Sequence, residues 1–301
     1  MKYFLLISTI FLGAFKTIFT KTSKKKNATL PEALKTNLIS FSCAFITLLL
    51  FGLGSFKENF SVPYILALCY AVCTLASQLC LMKAVELGSV SISSLFYSCG
   101  FIIPTLWGNI YYDEGINLPH ILGFLLIISS FFLSTTKSEK VKFNWKWLLA
   151  ALGGTLFSGL VGVIQKLFTN NYSQYSLDYF LYTAFVFILL INGALLVFLS
   201  IIQHKNFFKK EKESSANAST KKIILFTVLL GVCIGLANKV NTYLSGVFPS
   251  IISFPVINGG AILTTSLFSW LIFKEKLTLK QWIGIFIGLT GIILLAVGQT
   301  I

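Results

Sequence analysis

The chain has 301 residues, 55% hydrophobic and only 11% charged, with a mean hydropathy of +0.82; a soluble domain of this length would need a far more polar surface. The formal net charge of +14 comes from 24 basic residues that are all lysine, so the arginine fork that reads phosphate and bases is missing, and nucleic acid is excluded as a partner. The six cysteines (Cys43, Cys69, Cys73, Cys80, Cys99 and Cys233) lie in apolar runs without a CxxC pair, so they read as small buried hydrophobes and neither a disulfide nor a metal site is expected.

Apolar runs near the ~20 residues that a spanning helix needs occur at 3–20, 33–54, 62–86, 89–112, 117–136, 145–168, 176–202, 222–247, 250–273 and 278–299. Backbone groups in lipid must be bonded within their own segment, so these runs are expected to be helices. The alternation over ~10 residues of a β-barrel strand is absent. The first run carries Lys2 before it and KTSKKK after it, with no small-residue cleavage site between. A signal peptide has the opposite charge order, so this run is kept as span one. The connection 204–222, HKNFFKKEKESSANASTKK, is the longest and is read as a solvated loop. Span eight holds the polar stretch LANKVNTYLSG, Leu236–Gly246, and span nine opens PSIISFPVINGGAI. Pro255 is expected to interrupt that helix three residues before Asn258, Gly259 and Gly260. Gly284, Gly288 and Gly291 on span ten, and Gly231 with Gly235 on span eight, have the small-xxx-small spacing of close helix packing.

Eighteen lysines fall in the connections after spans one, five, seven and nine, against Lys2 and Lys57 on the other side; Lys16, Lys83, Lys166 and Lys239 lie within spans. The positive-inside rule then puts the odd-numbered connections in the cytoplasm and both termini outside. The chain also repeats. Shifted by 161 residues, 89–133 falls on 250–294 without a gap, and DEGINLPHILG meets KEKLTLKQWIG. Glu114 meets Glu275, Gly123 meets Gly284, and Gln78 meets Lys239. An odd number of spans per half makes the halves run in opposite senses, the inverted-repeat plan of many secondary transporters. The expected architecture is all-α, a polytopic membrane protein of ten transmembrane helices in two inverted five-helix repeats, 1–137 and 145–299, with the Lys-rich loop 203–222 between helices seven and eight.

With its doubled five-span unit, the acidic turns YYDEGINLPHILG and FKEKLTLKQWIGIFIGLTGIILL, and a lysine near the end of the first span of each half (GAFKTIF, VIQKLF), the chain resembles the drug/metabolite transporter superfamily in its ten-helix EamA branch. The resemblance implies a bundle around a central cavity that moves metabolites or drugs without ATP. It also implies cytoplasmic termini, where the lysine distribution places them outside.

A charge at the bilayer centre costs about 3 kcal/mol on insertion scales, which makes each lysine within a span a functional candidate. Lys16, Lys83 and Lys166 lie near span ends, so snorkelling or local pairing competes with a coupling or gating role. Glu86 stands three residues from Lys83 and can pair with it. Lys239 has at least eight span residues on either side. At 100° per residue Asn238, Asn241, Thr242 and Ser245 share one helix face beside it, which either lines a cavity or bonds another helix. The candidate substrate-binding residues are therefore Lys239, Asn238, Asn241, Thr242, Asn258, Tyr97 (opposite Asn258 in the repeat) and Gln78. Glu114 and Glu275 sit at span ends, where capping is the expected role.

The reading that follows is a secondary transporter, an exporter of small organic metabolites by alternating access, with lysine in excess over carboxylate favouring anionic or zwitterionic cargo. A sugar or nucleoside uptake permease is the runner-up, and a non-transporting membrane scaffold is the rival of another class. No GxSxG, HExxH or paired aspartate points to an enzyme, and no cofactor is expected. The expected partners are the plasma-membrane bilayer, a small-molecule substrate and a proton or exchanged solute, for a monomer or homodimer.

Overall fold

The computed structural model describes residues 1–23, 30–52, 63–88, 90–134, 145–202, 218–273 and 278–298. Among the described residues there is no strand. The helices are α1 (Lys2–Ser23), α2 (Leu30–Phe51), α3 (Tyr64–Leu87), α4 (Val90–Ser98), α5 (Ile102–Tyr112), α6 (Leu118–Ser134), α7 (Trp145–Asn171), α8 (Leu177–Ile202), α9 (Ala218–Val247), α10 (Ser250–Phe273) and α11 (Leu279–Gly298), with a 3-10 turn at Cys99–Phe101. Eight of them (α1, α2, α3, α7, α8, α9, α10 and α11) are long and apolar enough to cross a membrane, and α6 is a shorter apolar helix. The chain is thus the all-helical, multi-span membrane protein that its apolar runs imply. Most of the lysines behind the expected orientation, the loop 203–217 and Glu275 lie outside the described residues.

The expected break is corrected. α10 runs unbroken from Ser250 to Phe273 with Pro255 inside it. Pro255 is only the sixth residue of the helix, so its missing N–H affects the first turn alone, where little helix precedes it to be broken. The span over 89–112 divides instead, at Cys99–Phe101. Pro104 cannot donate to the carbonyl of Gly100, and its ring would press on that carbonyl in a continuous α-helix. Gly100 adds a second reason. A Cβ there would lie 2.8 Å from Thr155 O, and one on Gly159 would lie 2.7 Å from Gly100 O, so α7 meets the turn backbone to backbone.

The helices form two compact units, one of Met1–Ala14, Cys73–Ser173 and Val240–Ile301, the other of Phe15–Val72 and Gln174–Lys239. Each takes segments from both sequence halves, and the division falls within α1, α3 and α9. In the first unit Leu95, Phe101, Ile127, Phe131, Ile251, Ile252, Phe254, Val256 and Leu295 form a buried cluster. Phe101 meets Phe124 and Phe131 edge-on, with centroids 5.5 and 5.8 Å apart. α6 and α11 touch at glycine. A Cβ on Gly123 would stand 2.7 Å from Gly291 O, and one on Gly291 would stand 2.8 Å from Gly123 O. Lipid tails are as apolar as these side chains, so close approach and dispersion hold such helices together rather than the hydrophobic effect.

In the second unit α2 packs along α8. Phe41 meets Phe185 edge-on at 6.1 Å, and Asn192, wholly buried, donates to Leu34 O at 3.0 Å. Gly235 lets α9 lie against α2, since a Cβ there would be 2.7 Å from Ala44 O. Gly231 and Gly235 of span eight and Gly288 and Gly291 of span ten therefore do serve close packing. The cysteines are all free thiols, but only Cys233 is buried and Cys69 is exposed, which corrects their reading as uniformly buried hydrophobes.

Candidate functional site

Two lysine–carboxylate centres that are not mainly solvent-exposed occur among the described residues, each inside one unit. In the second unit Lys239 on α9 lies 2.6 Å from Asp178 Oδ1 and donates to Phe51 O at 3.0 Å. Asp178 stands in the first turn of α8, where a helix favours acid. Phe51 is the last residue of α2, so its carbonyl has no partner within the helix and Lys239 supplies one. The Lys239 amine thus reaches the end of α2 and the start of α8. Its side chain is 26% exposed and that of Asp178 is 11% exposed. Next to it Asn238 accepts a 2.5 Å bond from the Tyr70 hydroxyl and donates to Ile234 O at 2.8 Å. Aromatic rings flank this centre on the same unit. Tyr70 meets Phe180 edge-on at 5.7 Å, Tyr179 meets Tyr182 at 5.8 Å, and Tyr182 donates to Leu48 O.

In the first unit Lys166 on α7 lies 2.5 Å from Glu114 Oε1 and donates to Ser245 O at 3.0 Å and Phe248 O at 3.4 Å. The Tyr112 ring centroid is 5.9 Å away, close enough for a cation–π contact. Glu114 Oε2 accepts the N–H of Ser250, the first residue of α10, at 2.6 Å. The cation thus meets the carbonyl end of α9 and the carboxylate meets the amide end of α10, the sign each helix dipole favours. Both side chains are enclosed, Lys166 at 5% and Glu114 at 13% exposure. Lys166 does not snorkel. Glu114 caps, as expected.

The polar face of α9 splits between two environments. Asn238 belongs with Lys239 in the second unit, while Asn241, Thr242 and Ser245 belong to the first. Thr242 is fully buried and accepts a 3.1 Å bond from Gln165 Nε2 on α7. Ser245 donates to Thr242 O. The Asn241 side-chain oxygen is buried with no hydrogen-bond partner among the described residues. Asn258 donates to Phe254 O on its own helix. Tyr97 is partly buried beside Gly154, and Gln78 is partly buried on α3. Lys16 is partly buried on α1 in the unit that holds Lys239. Lys83 and Glu86 pair at 3.0 Å with side chains 56% and 64% exposed, an end-of-helix ion pair. Asp178, Tyr70 and Gln165 are the partners that sequence reasoning missed. For Asp178 the available signal was an acid in the first turn of an apolar span, SLDYF.

A model of the EamA-like transporter family matches residues 145–297, just over half of the chain. A solved structure described simply as the crystal structure of a protein is similar in fold, with a TM-score of 0.74 and 14% identity, covering 98% of this chain and 96% of that one. No curated protein matches the sequence. The apolar helices and the family match lead to one assignment: the chain belongs to the EamA-like transporter family and is a multi-pass membrane transporter.

Proposed function

We propose that the protein is a secondary transporter that exports small zwitterionic metabolites, with Lys239 and Asp178 as the pair that holds them. One observation carries this reading: Lys239 has a carboxylate partner at 2.6 Å, two oxygen contacts among the described residues, and a side chain still 26% exposed. An ammonium has three donors, so Lys239 can take a cargo carboxylate while Asp178 takes the cargo ammonium. The excess of lysine that favoured anions is offset here, because Lys239 and Lys166 each face a carboxylate. That balance favours cargo bearing both charges. Asn238, Tyr70 and the rings of α8 supply further polar and aromatic contacts.

Alternating access between inverted halves is the proposed mechanism. It is supported by the 161-residue offset, which relates the starts of α6 and α11 at Leu118 and Leu279. Export is the proposed direction. A proton or an exchanged solute is the proposed coupled species, and the lysine distribution supports external termini.

The test is a thermal-shift screen of the purified full-length protein against matched solutes: amino acids, the same acids without the amine, and the same amines without the acid. Stabilisation by the zwitterions alone, lost in Lys239→Ala, is the expected result. Stabilisation that survives Lys239→Ala, or that the acids alone give in full, overturns the assignment of the pair. No stabilisation by any solute favours a scaffold.

A further inference from the structure

The contacts of Lys166 resemble those of a bound monovalent cation more than those of a surface ion pair. Three oxygens from two segments converge on its nitrogen: Glu114 Oε1 at 2.5 Å, Ser245 O at 3.0 Å and Phe248 O at 3.4 Å. Two of them are main-chain carbonyls at the C-terminal end of α9, and α10 begins only two residues after Phe248. A fourth oxygen is close by. Ser250 Oγ is wholly buried and has no hydrogen-bond partner among the described residues. It crowds the same face of Gly108 as Glu114 Oε2 does. Helix-end carbonyls beside a buried carboxylate are the oxygen set with which membrane transporters hold Na⁺ or a similar ion.

We infer that the junction of α9 and α10 is a monovalent-cation site whose cation is built in: the ammonium of Lys166, delivered from α7, occupies the place of a free ion. The junction requires one positive charge. Glu114 is enclosed and must be countered, and the α9 carbonyls form the negative end of a helix dipole. Lys166 meets both demands, so this site needs no Na⁺ or K⁺ from solution. Its ammonium group is close to K⁺ in size, which makes K⁺ and NH₄⁺ the free ions best suited to replace it. The inference is independent of the cargo and of Lys239.

Full-length wild type, Lys166→Ala and Lys166→Ala/Glu114→Gln are extracted and melted in KCl, NH₄Cl, NaCl and choline chloride at equal ionic strength. The wild type is expected to melt alike in all four salts. Lys166→Ala is expected to melt several degrees higher in KCl or NH₄Cl than in choline chloride, whose ion is too bulky for the junction. The double variant, lacking the carboxylate, is expected to lose that dependence. Lys166→Ala insensitive to cation identity overturns the inference. So does a Lys166→Ala that stays unfolded on extraction in all four salts, because a free ion would then not replace the ammonium. A double variant that keeps the full K⁺ response overturns the role of Glu114 as the countercharge.

Discussion

Lys166 and Lys239 lie almost equally close to a carboxylate, at 2.5 and 2.6 Å, yet their surroundings differ. Among the described residues Lys166 has three oxygens and is enclosed; Lys239 has two and is a quarter exposed. A charge satisfied on every side holds helices in place, and one with a donor to spare and a way out can exchange partners. Distance to the counterion does not separate the two proposed roles. The number of remaining donors and the exposure do.

That contrast can be broken most sharply at Lys166. Lys166→Met strips an enclosed carboxylate of its partner and is expected to cost about 3–5 kcal/mol, read as a lower melting temperature, with much of the loss recovered when Glu114→Gln is added. Unchanged melting of Lys166→Met would place the two lysines in one class. Asp178→Asn comes next. It removes one charged contact and is expected to cost about 1.5–3 kcal/mol, while zwitterion binding falls at least tenfold and the protein remains folded. A fold loss as large as that of Lys166→Met would show that Lys239 is structural as well. Tyr70→Phe deletes one hydrogen bond to Asn238 and is expected to cost ~0.5–1.5 kcal/mol, with a weaker cargo affinity measured by titration. Lys83→Ala is the control. Its pair is more than half exposed, so stability should move by no more than ~1 kcal/mol and solute flux into vesicles should not change.

Most of the helices were legible because lipid demands long apolar runs with internal bonding, and α1, α2, α3 and α7 through α11 fall close to the expected spans. The place of the helix break was not. The sequence holds Pro104 and Pro255 in comparable apolar surroundings, and the choice between them depends on how much helix stands before the ring. Pro255 has five helical residues before it, whereas Pro104 would have interrupted a span already long. The lysines were legible as costly groups, and Glu114 as a cap. Their pairing was not, because Asp178 at the start of α8 looks like any acid at a helix N-terminus. Only the fold, which sets the start of α8 against Lys239 of α9, brings the two together. The single stripe drawn on α9 likewise failed to show that Thr242 would bond Gln165.

The Glu114 carboxylate divides its two oxygens between different tasks, one for Lys166 and one for the amide of Ser250. A compact ammonium permits this because it engages one oxygen as a point charge. A guanidinium would claim both oxygens with its planar fork and draw the carboxylate away from α10. Lysine-to-arginine, the mildest exchange by charge, is at this position a change of geometry. The arginine-free composition that first ruled out nucleic acid is, at Lys166, a steric requirement of the fold.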